Sequence, residues 1–223
     1  MITDDPGTPG NGRWENNLAF DLEYRPNEWS IDVPAIDLNY GWGDHIQLTL
    51  QTSFAALKRN EHGAIGGLGV TEAALKWRFL DEEGSGFDMS MFPRVILNIL
   101  QSSVRRGLSE DGTRFQIPVQ LAKKFGPVDL DLEFGPLAST VGRSEWLYGI
   151  VARKELTQTT SLMAELHGTS RTNFTHDALI SNVGFRHELN EHTIWIGSLG
   201  HELRAPGNEQ LALIAYCGVQ LLY

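Results

Sequence analysis

The sequence predicts an all-β protein, a single antiparallel up-and-down transmembrane β-barrel of about twelve strands. Three observations carry this prediction. About twelve segments alternate apolar and polar residues with period two. Their connections alternate in length, about seven to fifteen residues after odd strands and about three to six after even ones, the pattern of long external loops and short periplasmic turns. Aromatic residues gather toward both ends of one predicted face, as they do at membrane interfaces.

Taken in order, residues 1–12 hold Pro6, Pro9, Gly7, Gly10 and Gly12 and read as an irregular periplasmic lead-in to a barrel domain over residues 13–223. The first strand, 13–25, sets Trp14, Asn16, Leu18, Phe20, Leu22 and Tyr24 against Glu15, Asn17, Ala19, Asp21 and Glu23. After a loop at Pro26, residues 34–42 and 45–54 alternate about a tight turn at Gly43-Asp44. The Gly-rich stretch 55–69 reads as a long loop. Residues 70–80 and 87–98 follow, with Leu75, Trp77, Phe79, Met89 and Met91 facing outward. A second long loop, 101–113, leads to 115–124 and, past Gly126-Pro127, to the strict alternation of 128–135. Residues 145–156, 161–167 and 178–188 continue the pattern. Residues 193–202 read as a strand whose facing the alternation does not assign.

The closing segment, 209–223, is long, apolar and ends on Tyr223. It also fits the last strand of a soluble sandwich, and the rest of the chain decides between the two. Two features run against the barrel. Pro93 and Pro118 lie inside predicted strands, where they mark bulges that bend the wall inward, and Asn16 and Ser181 fall on the nominal lipid face.

The net charge of −10 argues against a nucleic-acid partner. One cysteine, Cys217, rules out an internal disulfide and a cysteine zinc cluster. Seven histidines show no ligand spacing, and no cofactor or metal is expected. Met1 leads directly into the polar ITDDPGTPGNG, so no signal peptide is present; a barrel in the outer membrane then implies a leader already removed.

The polar faces line the predicted lumen. Asp21, Glu23 and Asp37, together with Asp129, Asp131 and Glu133, form acidic walls beside a basic strip of Lys76, Arg78 and Arg94. These nine residues are the expected solute-lining set, and opposed charge across a narrow pore orients polar solutes. The contrary reading is that the charges pair across the lumen and fill it, since twelve strands lie between filled and open barrels. An enzyme is not expected: His167, Ser170 and Glu165 supply the residue types of an acyl-transfer triad, but Ser170 falls in a predicted loop.

The stretches ITDDPGTPGNGRWENNLAF, DLNYGWGDHIQL and LKWRFLDEE, in that order, resemble the outer-membrane β-barrel family named after the meta-pathway of phenol degradation. The likeness runs over most of the chain and its motifs are structural. It implies an exported, porin-like barrel of a Gram-negative bacterium and gives no active-site residues. The expected function is passive conduction of small polar or cationic solutes. The alternatives are a closed structural or surface-interaction barrel and a lipid-modifying enzyme. The expected partners are outer-membrane lipid or detergent, a small solute, and outer-membrane assembly machinery that reads the C-terminal strand and Tyr223.

Overall fold

Period-two alternation on neighbouring segments puts every apolar side chain on one surface when the segments pair, and a sheet with one greasy face must cover it or close on itself. The computed structural model describes residues 1–60, 63–175, 177–205, 207 and 210–223, and in it the sheet closes. The strands are β1 (Trp14–Arg25), β2 (Glu28–Trp42), β3 (Ile46–Arg59) and β4 (Ile65–Leu80). β5 consists of two pieces, Asp88–Met91 and Arg94–Leu97, and β6 of Arg114–Gln116 and Val119–Phe125. Then come β7 (Val128–Ser139), β8 (Glu145–Glu155), β9 (Thr160–Arg171), β10 (Asp177–Asn190), β11 (Thr193–Arg204) and β12 (Leu213–Leu222). Each strand pairs antiparallel with the next. β12 pairs with β1 from Glu15↔Leu222 to Tyr24↔Leu213, which removes the free edge. Two short helices, α1 (Glu82–Ser85) and α2 (Gln101–Arg106), sit in connections at opposite ends.

The outer surface is the one the sequence predicts. Leu18, Phe20, Leu50, Leu132, Leu162, Val183 and Leu199 stand exposed on it. Trp14 with Tyr40 and Trp77 with Phe79 pack near the turn end. Tyr24 with Trp29 and Phe134 with Trp146 pack near the loop end. An apolar band with aromatic edges is unstable in water and stable in lipid. β11 now has a facing: Trp195, Leu199 and Leu203 are exposed outside, whereas Ile194 is buried inside.

Several boundaries differ from the sequence reading, each for a physical reason. The connection from β1 to β2 is only Pro26-Asn27, because Trp29, Ile31 and Val33 continue the outward face above Pro34. Residues 55–59 and 65–69 are strand, and the glycines that read as a loop make room for the β5–β6 connection folded against them. A side chain at Gly67 would meet Arg106, Leu108 and Ser103. Leu108 there completes a small buried cluster with Ala55 and Leu57. Glu209, His62, His176 and Asn208, which fell in predicted segments or at their ends, lie outside the described residues.

The two prolines act at adjacent points of the wall. The ladder of β5 breaks at Phe92-Pro93 and that of β6 at Ile117-Pro118, because a proline has no N–H to donate. The wall stays joined through Phe92 N–H to the Pro118 carbonyl (2.9 Å) and Leu75 N–H to the Pro93 carbonyl (3.1 Å). At this kink Phe92 turns its ring inward and is buried.

Candidate functional site: a lumen crossed by the N-terminal strap

The lead-in starts where the sequence places it, at the turn end, with Gly12 N–H on the Gly41 carbonyl (2.9 Å) and Thr8 Oγ1 on the Asp44 carbonyl (2.8 Å). Its first seven residues then run up into the barrel. Lys76 Nζ bonds the Asp5 carbonyl (2.6 Å) and pairs with the Asp4 carboxylate (2.9 Å). On the opposite wall the Ile2 and Thr3 amides donate to Glu165 Oε1 (2.9 and 2.5 Å), and Thr3 Oγ1 meets His167 Nδ1 (3.2 Å). The strap therefore bridges β4 and β9 across the lumen.

Two glycines mark its path. A Cβ on Gly41 would collide with the Gly10 backbone, and one on Gly149 with the Thr3 side chain. Only glycine lets the strap lie this close to the wall. Hydrogen bonds to a charged acceptor contribute about 1.5–3 kcal/mol each, so Glu165, which also accepts from Asn182 Nδ2 (2.6 Å), is a firm anchor.

Two of the three residues of the basic strip, Lys76 and Arg94, are absorbed by this arrangement. Arg94 pairs with Glu133 (3.1 Å), reaches Asp4 (3.7 Å) and lies 3.9 Å from Glu72. Both cations lie against the Phe92 ring, whose centre is 4.7 Å from Lys76 Nζ and 4.2 Å from the Arg94 guanidinium carbon. Burial would raise the Asp4 carboxyl, but Lys76 and Arg94 outweigh it and hold the group below its ordinary value of 3.8.

The rest of the lumen is a cavity of about 780 Å³ beside the strap. Among the nine residues singled out from sequence, Asp21, Asp37, Lys76, Arg94 and Asp131 line it. Glu133 is buried behind Arg94. Glu23 pairs with Arg25 (2.9 Å) at the loop end. Arg78 pairs with Asp81 (3.0 Å) and Asp129 with Arg153 (3.3 Å), both at the turn end. Sequence reasoning left Asp32 in a loop and Phe92 unassigned; alternation sets Tyr216 and Gln220 on the inner face of the closing strand, but they were not counted among the solute-lining residues. Among the described residues, eight carboxylates and five cationic side chains line the cavity, so it remains acidic after internal pairing.

The hydrolytic triplet does not assemble. Glu165 and His167 face inward and hold the strap, whereas Ser170 Oγ donates to Asp177 Oδ1 (2.5 Å).

No family model matches the chain, and no curated protein matches it by sequence. Solved structures do match. The crystal structure of an outer membrane channel from Pseudomonas putida F1 superposes over 100% of both chains with a TM-score of 0.81 at 11% identity. The KdgM porin matches 92% of this chain and 98% of its own with a TM-score of 0.64 at 10% identity. The NanC porin matches 92% of this chain and 99% of its own with a TM-score of 0.63 at 9% identity. The chain thus has the fold of outer-membrane channels.

Proposed function

We propose that the protein is a passive channel of a Gram-negative outer membrane, conducting small polar solutes and favouring cationic ones. The observation that carries the reading is the pairing of two opposite surfaces on one closed wall. Outside is an apolar band with aromatic edges; inside is a charged, net acidic cavity. A wall that is greasy outside and wet inside suits a pore in lipid. The shared fold with an outer membrane channel and two porins supports it, as does the sequence resemblance to the family named after the meta-pathway of phenol degradation. On this reading the partners are outer-membrane lipid, the permeating solute and, through β12 and Tyr223, the assembly machinery; no catalytic role is assigned.

The strap favours a second reading, a closed barrel without conductance, because it occupies mid-lumen. Planar-bilayer recording separates the two. The channel reading expects step conductance from folded protein and a reversal potential showing cation preference. It also expects Gly149→Val, which displaces Thr3, to raise conductance. A heat-modifiable, folded sample with no steps in either protein supports the closed barrel.

A further inference from the structure

The connection between β5 and β6, residues 98–113, is the longest in the barrel and carries α2. It folds back onto the wall. Leu108 is buried with Ala55 and Leu57 of β3, and Ile65 of β4 packs against them. These wall residues point inward: Ala55 is the register partner of Asp32, which lines the cavity, and Leu57 with its partner Ile65 follows on the same face. Leu108 therefore sits inside the barrel, at the loop end of the cavity. Ser103 of α2 is only 3% exposed and faces Gly67, where a Cβ would lie 3.7 Å from its hydroxyl. Neighbouring strands lie about 5 Å apart, so reaching from β5 over β4 to β3 carries the connection about 10 Å across the mouth.

The hold on β3 and β4 is light. It consists of the Leu108 contact and an exposed hydrogen bond from the Arg106 guanidinium to the Gly66 carbonyl. Among the described residues no ion pair ties the connection to either strand. Its other bonds stay within its own base: Glu110 pairs with Arg114 (2.8 Å), and Asn98 Nδ2 donates to the Gly112 carbonyl (2.8 Å). Leu108 lies between two glycines in the left-handed region, Gly107 (φ 75°) and Gly112 (φ 81°), which let the chain turn on either side of it. A segment held by few apolar contacts and an exposed hydrogen bond opens at low free energy. The strap differs, since carboxylates hold it at both walls.

We propose that the β5–β6 connection is a lid on the loop-end mouth, with Leu108 as its latch on Ala55, Leu57 and Ile65. Latched, it narrows the entrance and sets the largest solute that enters; unlatched, it swings about Gly107 and Gly112 and admits larger ones. This rests on the lumen being a solute path, and it assigns the size limit to a different element from the charged wall below. The glycines of β4 fit this role. A side chain at Gly67 would meet Arg106, Leu108 and Ser103 and hold the lid off the wall.

Two readouts test it on the full chain. Ser103→Cys, made in a Cys217→Ser background and folded in detergent, reports the lid through its rate of reaction with a water-soluble maleimide. Slow labelling is expected. Leu108→Ser on the lid, or Leu57→Ser on the wall, speeds it by about tenfold or more, because labelling follows the open population and burial of a leucine is worth at least that factor. Leu108→Met, which keeps the apolar volume, leaves it slow. In liposomes, swelling rates with neutral sugars from a pentose to a trisaccharide read the size limit, and both serine variants raise it. Heat-modifiable migration verifies that each variant is folded. The proposal is overturned if neither serine variant speeds labelling, if Leu108→Met speeds it equally, or if labelling accelerates in a conducting barrel whose size limit does not move. Faster labelling in a folded barrel that passes no solute keeps the latch and removes the channel; solute passage that ignores the latch does the reverse.

Discussion

On β4 and β5, Lys76 and Arg94 each meet a carboxylate within 3.1 Å, and both lie against the Phe92 ring. On β1 and β2, Asp21 and Asp32 are register partners, and among the described residues no cationic side chain pairs with either; Asp32 accepts the Ser53 hydroxyl. Both walls carry charge in the same lumen, but they spend it differently. The first wall uses its charge internally, to hold a strap and brace a kink. The second, among the described residues, has no such side-chain ion pair. A charged residue inside a pore therefore does not identify a solute contact by its position alone; what separates structure from selectivity is whether the fold itself supplies the counter-charge.

The largest expected effect breaks this contrast directly. Arg94→Ala strands the buried Glu133 carboxylate and weakens the hold on Asp4, and breaking a buried pair costs about 3 kcal/mol or more. Urea unfolding of the refolded barrel in micelles reads that loss as a lower midpoint. Asp32→Asn in the same assay leaves the midpoint unchanged or raises it, because it relieves repulsion with Asp21. Equal losses at the two sites would mean that the walls are not different in kind.

Half of this contrast was legible in the sequence. Period-two alternation located the strands, their outward faces and both aromatic belts. It failed on β11, where Ile194 and Ile196 inside and Trp195, Leu199 and Leu203 outside make both faces apolar, while Gly197 and Gly200 carry no signal. It failed on 65–69, where glycines serve close packing and look like a loop. The strap was unreadable because ITDDPGT has no periodicity and its partners, Lys76 and Glu165, lie more than seventy residues away in the chain. Without the strap, Lys76 and Arg94 look like free pore lining.

The second prediction sharpens the contrast through pH. Asp4 is held below 3.8 by Lys76 and Arg94. A carboxylate lowered in this way contributes fully above its ordinary value, and the contribution is lost as pH falls through the lower, folded value. The strap therefore stays seated from neutral pH down to about 4 and loosens only in stronger acid. Conductance should rise there in the wild type. In Asp4→Asn the raised level should already be present at neutral pH, with no further acid step. An acid step of equal size in both proteins would assign the change to lumen carboxylates and not to the strap.

The smallest effect expected is at Phe92, and it asks whether the first wall is held by its charges alone. The ring is buried at the proline kink against both cations, so it fills space and also attracts both. Phe92→Leu keeps most of the apolar volume and removes the ring's charge distribution. The loss should be about 1–2 kcal/mol, within the range for desolvated cation–π contacts. The same change made in the Arg94→Ala background should cost less, since one of the two cations is already gone. That double-mutant difference isolates the ring–cation attraction from the packing. If Phe92→Leu costs the same in both backgrounds, the ring is a spacer at the kink and the ion pairs alone hold the strap's wall.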